Sequence, residues 1–252
     1  MKAPAIAIDL GTSYFRIAVF QNNKLEIIPN DKRQKATPSY ISFTSSNELI
    51  GEEALNGINN NLKNTLYDFK KLICRNFNDN EFKEDIKCLP FNIIKDPLYD
   101  TPLFQIKCEK RKGNFSPEEI YSIILKKIKQ TASKYLGKEV EEALITVPSN
   151  LNSFQRKAII DAGKIAGLNI LRILTDSSSA SFYFCFKNLS KLEKNILVFD
   201  LGGGSLDIAL TSLEDGLCEV RASEGIFNLG GENFNKRLME YCAKEYEKKK
   251  HQ

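Results

Sequence analysis

The sequence contains one short acidic glycine turn twice, and this repeat constrains the fold more than any other feature. Asp9-Leu10-Gly11 recurs as Asp200-Leu201-Gly202 at an offset of 191 residues, and Ile17-Ala18-Val19 falls on Ile208-Ala209-Leu210 at the same offset. Both copies lie between short apolar runs of strand composition. A repeat without gaps predicts two copies of one unit, in which a strand enters a tight turn and returns antiparallel.

The elements predicted around the two turns alternate between strands and helices. Three strands follow one another at the start of the chain, with Gln21-Asn22-Asn23 as a hairpin turn. Ser116-Pro117-Glu118-Glu119 is a capping box that opens a long helix to about Leu136, and Gly137 ends this helix. The order of three strands, helix, strand, helix, and then three strands and a helix again predicts an α/β fold. In such a fold, parallel strands extend an antiparallel hairpin sheet.

The residues of the two turns suit a magnesium nucleotide. Backbone N–H groups of a tight turn can approach phosphate oxygens where glycine removes the Cβ that would block them. Magnesium takes oxygen ligands, often carboxylates that act through water, and Asp9 and Asp200 stand at strand ends beside the turns. A plain β-turn explains either turn alone, but two in register favour a phosphate site. The candidate phosphate-binding residues of the turns are Gly11, Thr12, Ser13, Gly202, Gly203, Gly204 and Ser205.

Three further features are candidates on less specific grounds. Lys70 lies in a short helix predicted over Leu66 to Ile73, where it could reach a γ-phosphate or be a surface lysine. Asp176 follows a predicted strand and could orient water or metal, or simply favour a helix N-terminus. Gly230-Gly231 precedes a last helix, predicted over Asn233 to about Lys249, whose N-terminus could receive phosphate or serve as an ordinary cap.

The composition argues against several other classes of site. The only histidine is His251, so histidine triads, histidine-liganded metals and histidine general bases are almost excluded. The six cysteines contain no Cys-x-x-Cys pair, which argues against a zinc site. The net charge of +4 is mild and dispersed, so no nucleic-acid partner is expected, and no apolar run approaches a membrane span. The N-terminus does not resemble a signal peptide, and we expect a cytoplasmic or nuclear protein with reduced thiols.

Further short stretches, distributed almost from end to end, are specific in combination. They are Ile8-Asp9-Leu10-Gly11-Thr12-Ser13-Tyr14, Ile27-Ile28-Pro29-Asn30-Asp31, Thr37-Pro38-Ser39-Tyr40, Asn64-Thr65, Lys70-Lys71-Leu72-Ile73, Tyr135-Leu136-Gly137, Thr146-Val147-Pro148, Asp161-Ala162-Gly163, Ile165-Ala166-Gly167-Leu168-Asn169, Phe199-Asp200-Leu201-Gly202-Gly203-Gly204 and Leu229-Gly230-Gly231-Glu232. With these stretches the chain resembles the N-terminal part of the seventy-kilodalton heat-shock chaperones, the DnaK-like family, most closely its cytosolic branch. Because many of them lie outside the turns, they disfavour another actin-like protein such as a sugar kinase.

The resemblance implies the actin-like (ribonuclease-H-like) ATPase fold and ATP hydrolysis coupled to a peptide-binding domain, in protein folding and the stress response. It implies ATP or ADP with Mg²⁺ as cofactors, and J-domain co-chaperones or nucleotide-exchange factors as partners. Lys70 would be the catalytic lysine, Asp9 and Asp200 would sit near Mg²⁺, and Tyr14 would line the first phosphate loop beside its hydroxyl residues. Asp176, Asp9 and Asp200 would complete the catalytic set. The resemblance assigns the second loop to Gly202, Gly203, Gly204, Ser205 and Asp207.

Five positions depart from the family pattern. Asp176-Ser177 stands where the family has Glu-Pro, which keeps the charge but shortens its reach by one methylene group. Ser205 replaces a threonine and keeps the hydroxyl. Phe69 replaces a small residue beside the proposed catalytic lysine, and Asn235 replaces an acidic residue.

The family pattern also predicts the domain organisation. Residues 1–188 would form a complete first lobe, with a subdomain inserted over about 40–115, and residues 189–252 a truncated second lobe. The family's nucleotide-binding domain continues past Gln252, so we expect adenosine contacts and the peptide-binding domain to be absent and nucleotide affinity to be weak. Two interpretations stay open. The chain is either an ATPase module of chaperone type or a truncated, non-catalytic paralogue that acts as a binding module or has no function.

Overall fold

The computed structural model describes most of the chain. His251, the only histidine, and Cys88, one of the six cysteines, lie outside the described residues. No helix in the described part has the length and apolar content that crossing a membrane requires. The described residues are 3–87, 89–109, 112–188 and 191–250.

Contacts between Cα atoms divide the chain into two compact units. The sequence analysis placed the boundary between two lobes after residue 188, whereas the contacts group the helix that begins at Asp176 with the C-terminal unit. The first unit contains Met1–Val147 and Leu151–Leu174, and the second contains Pro148–Asn150 and Thr175–Gln252.

The strands are, in chain order, β1 (Ile6–Leu10), β2 (Tyr14–Gln21), β3 (Lys24–Ile28), β4 (Thr37–Pro38), β5 (Ile41–Phe43), β6 (Glu48–Ile50), β7 (Thr65–Leu66), β8 (Asn92–Lys95), β9 (Pro102–Lys107), β10 (Lys112–Phe115), β11 (Glu142–Val147), β12 (Asn169–Thr175), β13 (Lys194–Leu201), β14 (Ser205–Glu214) and β15 (Leu217–Phe227). The α-helices are α1 (Glu52–Asn56), α2 (Asn80–Ile86), α3 (Pro117–Leu136), α4 (Ser153–Ile165), α5 (Asp176–Lys187) and α6 (Gly231–Lys250).

The first unit is built on a sheet with the strand order β12-β11-β1-β2-β3, and β4 pairs with the start of β2. β1 runs antiparallel to β2 and parallel to β11. Ile6, Ile8 and Leu10 alternate along β1 and are buried in the core. The prediction that a parallel strand extends an antiparallel hairpin sheet is therefore confirmed.

Helix α3 begins and ends as its sequence predicts. The Glu119 N–H donates to the Ser116 hydroxyl at 3.2 Å, and the Ser116 N–H donates to the Glu119 carboxylate at 2.8 Å. Gly137 takes a φ of 66° and ends the helix, a left-handed conformation that favours glycine. Ile120 and Ile124 lie on one face and are fully buried.

The residues between β4 and α3 form two small antiparallel sheets, β6-β5-β7 and β10-β9-β8. The helix predicted over Leu66 to Ile73 is wrong in its first half, because Thr65–Leu66 form β7 and only Phe69–Leu72 form a 3₁₀ turn. Asp68 takes a left-handed φ of 56° just before that turn, which interrupts any continuous α-helix. No glycine or proline in this stretch signals the break.

The second unit repeats the hairpin of the first in the sheet β13-β14-β15. Asp9 lies opposite Arg16 in the β1–β2 pair, and Asp200 lies opposite Asp207 in the β13–β14 pair. The pairing register is thus the same at the offset of 191 residues. Helix α5 packs against all three strands of this sheet. The repeat predicted from the sequence is confirmed in the backbone pairing.

Helix α6 buries none of its 20 residues, whereas α3, of the same length, has a continuous buried face. We expect backbone amides in the C-terminal half of α6 to exchange hydrogen roughly a hundredfold faster than those of α3, because local opening exposes little apolar surface there. Hydrogen exchange read by mass spectrometry of peptides tests this, with α3 as the internal control. Equal protection of the two helices would contradict the expectation.

Candidate functional site

The first candidate turn, residues 11–13, connects β1 to β2 and is closed by one backbone hydrogen bond. The Gly11 N–H donates to the Tyr14 carbonyl oxygen at 3.0 Å, and a Cβ on Gly11 would lie 2.5 Å from that oxygen. Only glycine therefore fits this position without opening the turn. The N–H groups of Thr12 and Ser13 donate to no acceptor among the described residues, so they are available to an anion.

Ser39, which is 1% exposed, braces this turn. The Ser39 N–H donates to the Ser13 carbonyl oxygen, and its hydroxyl donates to the Gly11 carbonyl oxygen, each at 2.9 Å. The protein thus holds the carbonyl groups of the turn and leaves two of its N–H groups to a ligand, an arrangement that suits phosphate. In the sequence analysis, Ser39 appeared only within the stretch Thr37-Pro38-Ser39-Tyr40 that resembles the family. Its hydrogen bonds to the turn join residues far apart in the sequence, so no local pattern signals them.

Asp9 stands at the end of β1, on the opposite face from the buried Ile8 and Leu10. Its Oδ2 accepts a hydrogen bond from Arg16 Nη1 at 3.1 Å, and both side chains are nearly half exposed. An ion pair this exposed contributes about 1 kcal/mol or less, so a magnesium ion with its water can compete for the carboxylate. The sequence analysis did not single out Arg16. The hairpin register, which places it opposite Asp9, is the signal that could have identified it.

Lys70 lies in the 3₁₀ turn Phe69–Leu72 and is only 8% exposed, which sets it apart from an ordinary surface lysine. Phe69 is buried and packs edge-on against Tyr121, with ring centroids 5.5 Å apart. The aromatic side chain that departs from the family pattern therefore anchors the backbone beside Lys70.

A short series of contacts links the segment of Lys70 to the first turn. Ser39 braces the turn, and the next residue, Tyr40, stacks on Tyr67 with ring centroids 5.3 Å apart. Strand β5, which follows Tyr40, pairs with β7, which precedes Tyr67. Lys70 follows Tyr67 by three residues, so the same packed segment carries both the brace and the lysine.

The second candidate turn, residues 202–204, connects β13 to β14 and repeats the first. The Gly202 N–H donates to the Ser205 carbonyl oxygen at 2.9 Å, which is the same bond that closes the first turn, at the same offset. The N–H groups of the next two glycines donate to no acceptor within the part of the chain that the structure describes. Each turn therefore presents two adjacent backbone N–H groups.

The start of α6 binds the carbonyl groups of the second turn. The Gly231 N–H donates to the Gly202 oxygen at 3.0 Å, and the Glu232 N–H donates to the Gly203 oxygen at 2.9 Å. A Cβ on Gly230 would lie 2.5 Å from the Gly203 oxygen, so the two backbone segments are in direct contact. Gly230 and Gly231 thus support the turn, and the Gly231 N–H already has a protein acceptor.

The two aspartates beside the second turn differ in exposure. Asp200 is exposed at the end of β13, whereas Asp207, opposite it in β14, is 1% exposed. Asp207 Oδ1 accepts a hydrogen bond from the Ser149 N–H at 2.6 Å, and a Cβ on Gly225 would lie 2.8 Å from the same oxygen. Asp200 is therefore the carboxylate accessible to hydrated magnesium, and Asp207 orders the segment Pro148–Asn150.

Asp176 is the first residue of α5, after the N-cap Thr175, whose hydroxyl accepts a hydrogen bond from the Ser178 N–H at 3.2 Å. A carboxylate at this position is stabilised by the helix dipole. The neighbouring Ser177 is fully buried, and its Oγ lies 3.1 Å from the Ser149 Oγ. A hydroxyl at position 177 thus ties α5 to the segment that contains Ser149.

The candidate residues divide between the two units. The first unit carries Asp9, the first turn with Tyr14, and Lys70, and the second carries Asp176, Asp200, the second turn and Gly230-Gly231. Among the described residues, no three or more histidine, cysteine, aspartate and glutamate side chains form a preformed metal cluster. Magnesium that takes its other ligands from phosphate and water needs no such cluster.

Comparison with known proteins assigns the chain to a family. A family model described as "Hsp70 protein" matches residues 5–252. The chain belongs to the Hsp70 family. Heat shock 70 kDa protein 2 of Paracoccidioides lutzii is 42% identical over 247 residues, and the heat shock 70 kDa proteins of Neurospora crassa and Trichophyton rubrum are 42% and 41% identical over the same length. Each alignment covers 98% of this chain and 38% of the relative.

Membership of the Hsp70 family confirms the resemblance that the sequence stretches indicated. The mixed α/β structure is consistent with the nucleotide-binding domain of an Hsp70 chaperone. The chain spans about 38% of the length of these Hsp70 relatives. The activity of a whole Hsp70 protein is therefore only proposed for this chain.

Proposed function

We propose that this chain is the part of an actin-like, Hsp70-type chaperone ATPase that binds the phosphates and Mg²⁺ of ATP or ADP through two loops. The duplicated turn carries this proposal. Two turns are closed by the same hydrogen bond at an offset of 191 residues. Each has an aspartate at a strand end and two N–H groups that find no acceptor among the residues the structure describes. Family membership supports the same conclusion, because the family implies a magnesium nucleotide.

The proposed roles follow from accessibility and charge. The backbone N–H groups of the two turns hold phosphate oxygens, with the hydroxyls of Thr12, Ser13 and Ser205 beside them. Asp9 and Asp200, both accessible to solvent, hold Mg²⁺ through water. Bound Mg²⁺ neutralises part of the phosphate charge.

Two further side chains complete the proposed catalytic set. Lys70 places a positive charge near the γ-phosphate, and its burial and the packing of Phe69 restrict its position. Asp176, at the start of α5, orients the attacking water. Because its side chain is shorter than the glutamate of the family pattern, we expect its contribution to turnover to be smaller.

A non-catalytic binding module is the alternative. The observation that favours it is the Arg16–Asp9 ion pair, which occupies one of the two proposed magnesium carboxylates. The alternative predicts nucleotide binding without turnover above background.

The wider role is also a proposal. Family membership supports a function in protein folding, with J-domain co-chaperones or nucleotide-exchange factors as partners. We propose the cytoplasm, or the nucleus, as its location.

Titration calorimetry with Mg-ADP and Mg-ATP tests the proposed site. We expect saturable binding to one site, with a dependence on Mg²⁺ that chelation removes. Gly11→Ala is expected to weaken binding by roughly tenfold or more, because its Cβ would lie 2.5 Å from the Tyr14 oxygen and the turn would have to open.

Gly57→Ala is the matched control, because Gly57 lies in an ordinary helical conformation at a φ of −87° outside the turns. It is expected to bind nucleotide like the unchanged chain. Absence of binding by a chain with intact circular dichroism, or equal binding by the two variants, would contradict the proposed site.

A further inference from the structure

Two cysteines of the second unit, Cys185 in α5 and Cys218 in β15, take no part in the proposed nucleotide site. Neither forms a disulfide bond in this structure. The buried face of α5 carries Ser177, Ser181 and Cys185 at a spacing of four residues, which places them one above another along the helix. This face of α5 therefore continues to Cys185 as it packs on the sheet.

One hydrogen bond sets the register of this packing. Thr211 Oγ1 in β14 donates to Ser181 Oγ at 2.8 Å, and both residues are fully buried. One helical turn after Ser181, Cys185 has advanced by about 6 Å. Two residues after Thr211, Leu213 has advanced by about 7 Å on the same face of the sheet. Leu213 lies opposite Cys218 in β15.

Helix α5 and strand β14 run in the same direction. Ser177, one turn before Ser181, contacts Ser149, whose N–H donates to Asp207, four residues before Thr211. The C-terminal end of α5 therefore lies over the end of β14, and Cys185 lies near the turn of the β14–β15 hairpin, where Cys218 begins the return strand. The packing register therefore places Cys185 and Cys218 as neighbours on the face of the sheet that α5 covers.

The two thiols differ in accessibility. Cys185 is 3% exposed, whereas Cys218 is only partly buried, so a reagent from solvent meets Cys218 first. Burial, and next the neighbouring Cys185 sulfur, raise the pKa of the Cys218 thiol to about 12. The thiol form therefore predominates at neutral pH, which keeps exchange slow.

We propose that Cys185 and Cys218 form a thiol–disulfide exchange site that a small-molecule disulfide converts to an intramolecular bridge. With glutathione disulfide, Cys218 loses its proton and attacks one sulfur, which forms a mixed disulfide and releases one glutathione thiolate. Cys185 then loses its proton and attacks the Cys218 sulfur, which breaks the mixed disulfide and releases the second glutathione thiolate. The two protons go to the two thiolates, so two electrons pass from the protein to glutathione.

The bridge would join the C-terminal half of α5 to the end of the β14–β15 hairpin. The chain between the two cysteines contains β13 and β14, so the cross-link closes a loop around most of this sheet. A disulfide that closes such a loop restricts the unfolded chain and so stabilises the folded one. We therefore expect the melting temperature of the second unit to rise by several degrees on oxidation and to fall again on reduction.

Peptide mapping without reduction tests the proposal. The purified, reduced chain is incubated with glutathione disulfide, quenched by alkylation, digested and analysed by mass spectrometry. The expected result is a peptide pair joined through Cys185 and Cys218, lighter by two hydrogen atoms than the two reduced peptides together. Failure to find it after exhaustive oxidation of the folded chain, with Cys218 blocked by glutathione instead, would overturn the proposal.

Three variants separate the steps. Cys185→Ser is expected to trap glutathione on Cys218, and Cys218→Ser to abolish the bridge and the rise in melting temperature. Cys242→Ser, at an exposed cysteine of α6, is the matched control and is expected to leave the bridge unchanged. If Cys185→Ser does not fold, the comparison of Cys218→Ser with Cys242→Ser still tests whether the bridge requires Cys218. Equal yields of the bridge through Cys242 would contradict the assignment.

Discussion

Replacing Lys70 with alanine is expected to lower phosphate release from Mg-ATP by about a hundredfold or more. The proposed role of its charge is to stabilise the transferring phosphoryl group, and removing one such fixed electrostatic group typically costs two to three orders of magnitude in rate. Nucleotide affinity should change much less, because in the proposed site the two turns make most of the phosphate contacts. Single-turnover phosphate release and titration calorimetry together separate the two effects.

Two controls accompany this variant. Lys70→Met keeps the buried stem of the side chain and should lose turnover to the same extent, which distinguishes the charge from packing. Lys71→Ala removes the adjacent lysine, which pairs with Asp68 at 3.2 Å, and should keep turnover within about threefold. Turnover by Lys70→Ala equal to that of the unchanged chain would refute the catalytic role. Binding without turnover by the unchanged chain would support the non-catalytic alternative.

Gly230→Ala is expected to destabilise the second unit by about 3 kcal/mol, because its Cβ would lie 2.5 to 2.6 Å from backbone atoms of Gly203 and Gly204. Neither backbone segment can yield without breaking the hydrogen bonds between the second turn and α6. In a chain of this size, that loss corresponds to a fall of roughly 10 °C in the melting temperature. Thermal unfolding followed by circular dichroism measures it.

Gly202→Ala is the matched control for stability, since its Cβ would meet only the Ser205 oxygen, at an ordinary contact distance of 3.5 Å. It should lower the melting temperature far less than Gly230→Ala. Equal melting temperatures for the two variants would show that the second turn does not pack against the start of α6.

Features with a local cause could be predicted from the sequence. The position of both turns follows from glycine spacing between strand-like runs, and the start of α3 follows from the reciprocal bonds of Ser116 and Glu119. The helix expected over Leu66 to Ile73 failed because Asp68 adopts a left-handed conformation that its sequence context does not signal. Neighbouring structure, rather than local propensity, determines the backbone there.

Parts of the candidate site depend on contacts between distant residues, and these could not be predicted. Ser39 reaches the first turn across 28 positions of the sequence, and the start of α6 reaches the second turn through backbone atoms alone. Lys70 is likewise buried in a segment whose neighbouring residue, Phe69, packs on the distant Tyr121. Backbone hydrogen bonds and aromatic packing between distant segments leave no periodic pattern in a single sequence.

The attachment of α6 at its first residues has a geometric consequence. Its N-terminal N–H groups hold the second turn, and none of its 20 residues is buried, so the helix resembles a rod fastened at one end. Such a rod is about 30 Å long. A tilt of about 10° at the glycine turn carries the far end of the helix through about 5 Å. The displacement of a label near Lys248 would therefore amplify small rotations of the second turn, which are themselves hard to observe.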